Sequence, residues 1–151
     1  MTAAIKDSIQ AQGQIHIQRF DASGALVEQR NVENLLVQTG LNYIASRIKD
    51  ASATVMSHMA LGAGTAAASN GQTALVTELG RVGLASTNIT ANVVTYIATF
   101  GPATATGAVT EAAILNAASA GTMLNRVAFP VVNKQAGDTV TVTWTVTINA
   151  A

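Results

Sequence analysis

Strict alternation of apolar and polar side chains marks residues 138–149, DTVTVTWTVTIN. Val140, Val142, Trp144, Val146 and Ile148 alternate there with Thr139, Thr141, Thr143, Thr145 and Thr147. A period of two over this length predicts a β-strand with one apolar face and one threonine face. β-Branched and aromatic side chains suit a pleated, half-buried surface. The single tryptophan falls on the apolar face, so these five apolar residues are assigned to the core. Upstream, a second apolar run at 127–132 leads into the turn signal Ala136-Gly137-Asp138. The pattern predicts the two runs as a hairpin.

The same reading orders the rest of the chain. Residues 1–11 show no clear period and are expected to form a flexible N-terminal arm. Residues 14–20 carry Ile15 and Ile17 on one strand face. Asp21-Ala22-Ser23-Gly24 is a turn signal and 25–32 is the return strand, so 14–32 is predicted as an N-terminal β-hairpin. Leu41, Ile44, Ala45 and Ile48 recur at helical spacing and predict one short α-helix over 39–50, with Thr39 as its N-cap and Arg47 and Lys49 at its cationic end. Residues 56–61 read as a buried strand and 62–71 as a small-residue loop. A helical turn is expected at 73–79. Further strands are expected at 81–87, 93–100, 109–115 and 123–132, separated by Gly, Asn, Ser and Pro clusters. The expected fold is mainly β: an antiparallel β-sandwich or jelly-roll-like domain over 12–151, with the hairpin, the helix and a sheet spanning 56–149.

Composition changes this picture in one respect. Charged residues make up 11 % of the chain against roughly 25 % in an average soluble domain, and the formal net charge is zero. Ten of the sixteen charges lie in residues 1–50. The remaining 101 residues hold Glu78, Arg81, Glu111, Arg126, Lys134 and Asp138 alone. A surface so poor in charge is weakly protected against association, which implies that much of it is covered by other subunits. No basic patch supports nucleic-acid binding. Cysteine is absent, so thiolate metal sites are excluded. No apolar run approaches the roughly 20 residues that span a bilayer, and no signal peptide is visible; synthesis in a cytoplasm is expected.

Candidate chemistry is sparse. Gly62-Ala63-Gly64-Thr65-Ala66-Ala67 matches G-x-G-x-x-[GA] after a predicted strand, as in a dinucleotide loop. Asn70-Gly71 interrupts the helix that should follow, so a plain flexible loop is the preferred reading. His16 and His58 lie far apart, with no carboxylate cluster to complete a metal site. Glu78 and Glu111 are a conceivable acid–base pair. The plainer reading pairs them with Arg81 and Arg126. No G-x-S-x-G elbow occurs. The threonine row on 139–147 is a single ladder, whereas ice-binding surfaces repeat it on stacked strands. No catalytic residue, metal or cofactor is assigned, and the chain is read as a non-enzyme.

Four stretches together resemble a known group. MSHMALGAGT (56–65), QTALVTELGRV (72–82), VTEAAILNAASAGTMLNRVAF (109–129) and GDTVTVTWTVTI (137–148) are similar, in that order, to small virion proteins of tailed bacteriophages. The group's Leu-x-x-Glu-x-x-Arg segment matches Leu75, Glu78 and Arg81. Its E-x-G-I-F-N-like strand is replaced here by Glu111 to Asn116 with alanine at the glycine position and leucine at the aromatic one. The resemblance, over about residues 31–149, implies a capsid decoration (cement) protein. Such a protein oligomerises on the capsid exterior, as a trimer in preference to a dimer, and contacts the major capsid protein. Tail-fibre, collar or baseplate adaptors share the strand pattern and are the alternative. A carbohydrate-binding β-sandwich is less favoured, because few aromatics are available to stack on sugars. Contacts to the capsid or to neighbouring subunits are expected from Ile5 and Ile9 of the arm and from Arg19, Glu28 and Arg30 of the hairpin.

Overall fold

The computed structural model describes residues 8–49 and 54–150. Nine antiparallel strands and one helix follow in the order β1 (Ile9–Phe20), β2 (Leu26–Leu36), α1 (Gln38–Lys49), β3 (His58–Gly62), β4 (Glu78–Gly83), β5 (Ser86–Thr90), β6 (Val93–Phe100), β7 (Gly107–Leu115), β8 (Met123–Lys134) and β9 (Thr139–Ala150). They form one curled sheet of order β4-β3-β7-β8-β2-β1-β9-β6-β5, folded over into two layers as a β-sandwich. β2 makes the fold-over. Its body pairs with β1, while its last two residues, Leu35 and Leu36, pair with Arg126 and Asn125 of β8. Opposite this corner, the link between β4 and β5 stitches the two layers: the Leu84 N–H donates to the Ser57 carbonyl and the Ala85 N–H to the Ile97 carbonyl.

The alternating strand is the centre of its layer. β9 pairs along its whole length with β1, from Ile9↔Ala150 to Phe20↔Thr139, and on its other side with β6. Val140, Val142, Trp144 and Val146 are buried and Ile148 is half-buried against the same core, beside Ile15 and Ile17. The Trp144 indole Nε1 donates to Asn34 Oδ1 at 2.7 Å, so the polar end of the one tryptophan is satisfied inside. β7 does not alternate, because both its faces are covered. Ala112 and Ile114 face the inter-layer core. Ala113 and Leu115 join Val37, Ala60 and Met123 in a second cluster on the other side, under Leu75 of the 62–77 loop.

Several expectations change in the structure. The runs at 127–132 and 138–149 do not pair: β8 lies between β7 and β2, and β9 between β1 and β6. The turn at 135–138 carries the chain from one layer to the other, since an apolar face on each strand allows them to pack across a core as well as side by side. The hairpin at 14–32 is longer than its pattern, and residues 9–11, assigned to the arm, are strand paired with β9. The segment 73–79 is bends leading into β4, not a helical turn. The expected strand 81–87 is the end of one strand and the start of another. Residues 1–7 of the arm lie outside the described residues.

The helix turns an unexpected side inward. Gly40 is buried and Tyr43 and Ile44 pack on the core, whereas Leu41 and Ile48 of the apolar stripe are 42 % and 78 % exposed, and Ala45 is exposed. Thr39 is not the cap but lies within the first turn, with its hydroxyl donating to the Met123 carbonyl at 2.8 Å. The Leu41 N–H closes the first turn on Val37. Gly40 decides the docking side. A Cβ there would lie 1.8 Å from the Leu124 carbonyl oxygen, so only glycine lets the helix meet β8 at this distance. Gly40→Ala should therefore destabilise the fold by about 1–3 kcal/mol through overpacking. It should do so even though alanine favours an isolated helix by up to about 1 kcal/mol. A chemical-denaturation midpoint that rises in this variant would show that the helix can shift at no cost.

Candidate functional site

Two fully buried ionic side chains are engaged in holding the chain's own loop. Glu111 on β7 and Arg126 on β8 are both fully buried and joined at 2.7 Å and 3.0 Å. The Glu111 carboxylate also accepts the backbone N–H groups of Gly64 (2.9 Å), Val76 (3.0 Å) and Thr77 (2.8 Å). Arg126 reaches the Ala66 carbonyl at 2.9 Å and Gln72 Oε1 at 3.1 Å. The glycine-rich stretch is thus wrapped round a buried ion pair. A Cβ on Gly62 or on Gly64 would come within 2.5 Å of Glu111 Oε1, which is why both positions are glycine. The Gly64 N–H that a dinucleotide loop would offer to pyrophosphate is directed at a carboxylate, and the loop is anchored from within. Leu75-x-x-Glu78-x-x-Arg81 has an equally local role: Arg81 pairs with Glu78 at 2.8 Å and caps the Ala117 and Ala120 carbonyls.

A second network closes the end of the sandwich near the first hairpin turn. Arg19 bonds Glu28 at 3.0 Å and Asp138 at 2.7 Å, and Arg30 bonds Glu28 at 2.6 Å and the Val131 carbonyl at 2.9 Å. Lys134 is buried and its Nζ donates to the carbonyls of Gly101 (2.9 Å) and Asp138 (2.7 Å). Three of the residues assigned to neighbour contacts, Arg19, Glu28 and Arg30, therefore converge on one intramolecular cluster, with side-chain exposures of 17 %, 18 % and 28 %. Ile9 stands apart at the start of β1 and is 73 % exposed. Ile5 lies outside the described residues.

Both networks carry acid sensitivity. Burial raises the Glu111 pKa, but the N–H groups of Thr77 and Val76, the Arg126 guanidinium and the Gly64 N–H outweigh it, so its pKa is lowered overall. The Gln135 N–H and then Arg19 lower that of Asp138. Carboxylates depressed in the folded state add stability that is complete above their unfolded pKa of about 4 and is lost as pH falls through the folded values. Thermal midpoints should accordingly be level near neutrality and fall below about pH 4. A midpoint that rises on acidification would contradict both networks.

The two histidines each have a polar neighbour close by in sequence or on the paired strand. His16 Nδ1 lies 2.6 Å from Asn31 Oδ1 and His58 Nδ1 2.8 Å from the Ser57 hydroxyl, each on a different strand. Among the described residues no group of three His, Asp or Glu side chains is placed to hold a metal. No described helix is long and apolar enough to cross a membrane. Comparison of the chain with family models, with curated proteins and with solved structures returns no match.

Strands β9, β6 and β5 carry no charged residue, so this part of the surface is neutral. The threonine face of β9 is half-exposed and continues sideways across the sheet. Gln14, Thr145, Thr95 and Asn88 lie in register on four adjacent strands, and Gln18, Thr141 and Thr99 on three. On the opposite face of the same layer, β5 outruns the second layer. Ile89 is 70 % exposed and Val55 56 % exposed, and with Tyr43, Met56, Val94 and Tyr96 they line a groove of about 310 Å³. Burial pushes the Tyr96 phenol up to about 12, with Tyr43 adding to the effect, so the Tyr96 side chain is neutral at any ordinary pH. The sequence pattern missed the strand that forms this edge. Its only signal is Ser86–Thr90, five residues without charge, proline or glycine ahead of the Ala91-Asn92 turn.

Proposed function

We propose that this protein is a non-enzymatic structural component of a tailed-phage virion. In this reading it is a capsid decoration protein that self-associates on the shell exterior and stabilises contacts between capsomers. One observation carries the reading. All six charges after residue 50 are engaged within the chain: Glu78 with Arg81, Glu111 with Arg126, Asp138 with Arg19, and Lys134 with two carbonyls. Apart from the Glu78–Arg81 pair on β4, the outward surface of this two-thirds of the chain is left to uncharged polar residues, Ala and stray apolar side chains. Such a surface suits cover by copies of the same chain and by a shell, and the resemblance of residues 31–149 to small phage virion proteins points the same way. Ile9, exposed at the start of β1, is the described arm residue best placed for an outside contact.

The mechanism is mass action. A ligand that binds the assembled shell and not its separated capsomers stabilises the shell by RT ln(1 + [L]/Kd) per site, about 2.7 kcal/mol at one hundred times Kd. The test is co-sedimentation of the purified chain with tailless capsids of the phage that encodes it. Saturable binding at hundreds of copies per particle is expected, together with a raised capsid melting temperature. Binding to isolated tails at a few copies, with none to capsids, would replace the reading by a tail adaptor. Binding to neither would overturn it.

A further inference from the structure

The curled sheet has two edges, and they are built differently. β4 is guarded: it carries Glu78 and Arg81, and the Arg81 guanidinium lies over the Ala117 and Ala120 carbonyls beside it. Charges of this kind keep an edge from pairing with another chain. β5 has no such guard. All five of its residues, Ser86–Thr90, are exposed, and one side is bonded to β6 while the other has no neighbour among the described strands. No charged residue occurs anywhere between Arg81 and Glu111. No bulge interrupts the β5–β6 register, which would otherwise twist the edge away.

We propose that β5 is the self-association edge of this protein, pairing antiparallel with β5 of a second copy to extend the sheet across a twofold axis. The inference deepens the self-association in the reading above, and puts a dimer contact in place of the threefold arrangement implied by the resemblance. The occupant is a second copy for three reasons. An open strand edge is matched by another strand edge, and the chain's own alternative, β4, is closed by charge, which disfavours head-to-tail pairing. A charged partner finds no complement between residues 82 and 110, whereas two neutral β5 strands meet without repulsion. The side chains also suit the pairing. With Asn88 on the axis, Thr87 lies opposite the partner's Ile89, a β-branched pair on one face. Thr87 and Ile89 both line the open groove, so the second strand would lay its own Ile89 along the apolar floor formed with Val94 and Tyr96.

Sedimentation of the full chain at micromolar concentration is expected to give twice the 15.4 kDa chain mass. Ile89→Lys, which installs the missing edge charge, should halve it while leaving the far-ultraviolet circular dichroism unchanged. Asn88→Cys supplies a second readout in a chain without cysteine. Residues facing each other across an antiparallel pair stand about 4.5–5.5 Å apart, within disulfide range. This variant should form a covalent dimer on mild oxidation faster than Ala67→Cys on an exposed part of the loop. If Ile89→Lys does not fold, the cross-linking rates decide. A monomeric or trimeric wild type overturns the proposal, as does a dimer that Ile89→Lys leaves intact with no preferential Asn88→Cys cross-link. A β5-paired dimer that fails to bind capsids or tails would overturn the virion reading and leave this inference standing.

Discussion

Glu111→Ala is expected to cost about 3–5 kcal/mol of stability, because it leaves a fully buried guanidinium without its counter-charge. The loss does not stop at the ion pair. Three backbone N–H groups of the 62–77 loop lose their acceptor, and buried donors without partners carry their own desolvation penalty. Unfolding in urea should show a lowered midpoint with little change in m-value, since the compactness of the unfolded chain is not altered. Arg126→Met alone should be comparably damaging, because it strands the carboxylate. Glu111→Met with Arg126→Met should cost less than the two single changes summed, since the double variant leaves no unpaired buried charge. Additive losses would show that the two side chains act independently and that the pair does not hold the loop.

Trp144→Ala should cost a similar amount, about 3–5 kcal/mol, for a different reason. Trp144 is the largest fully buried side chain, on the central strand of its layer, so truncation opens a cavity that neighbours on β1 and β6 close only in part. It also removes the donor to Asn34 Oδ1. Trp144→Phe separates the two contributions: it restores much of the volume but not the hydrogen bond, and should recover more than half of the loss. Thr143→Ala, one residue away on the outer face, should cost under about 1 kcal/mol. If denaturation midpoints show Thr143→Ala to be as harmful as Trp144→Ala, the outer face of β9 is packed under another subunit in the folded species measured.

These two sites were legible in the sequence to different depths. The alternation of valine and threonine determined which side of β9 faces inward, because a strand's period of two allows only one apolar face. The pairing of Glu78 with Arg81 and of Glu111 with Arg126 was also readable, since few charges were available and buried ones must be matched. The reason for the glycines at 62 and 64 was not readable. They answer to a carboxylate nearly fifty residues away, and a local motif cannot distinguish room for a phosphate from room for Glu111.

Local pattern determined most of the strands, the turn at 21–24 and the presence of one helix, because propensity and periodicity act over a few residues. The tertiary structure alone decided the partners. The runs at 127–132 and 138–149 look like a hairpin in sequence, yet they stand in opposite layers, since an apolar face specifies burial and not the strand beside it. The helix shows the same limit. Its stripe of Leu41, Ile44, Ala45 and Ile48 predicts an inward face, but the close approach of β8 at Leu124 turns in the side that carries Gly40, and of the stripe only Ile44 packs on the core. β5 was the least visible element, because its exposure on both faces removes the alternation by which a half-buried strand is recognised. Its place as the unguarded edge follows from sheet order, which is set by contacts between residues far apart in the chain.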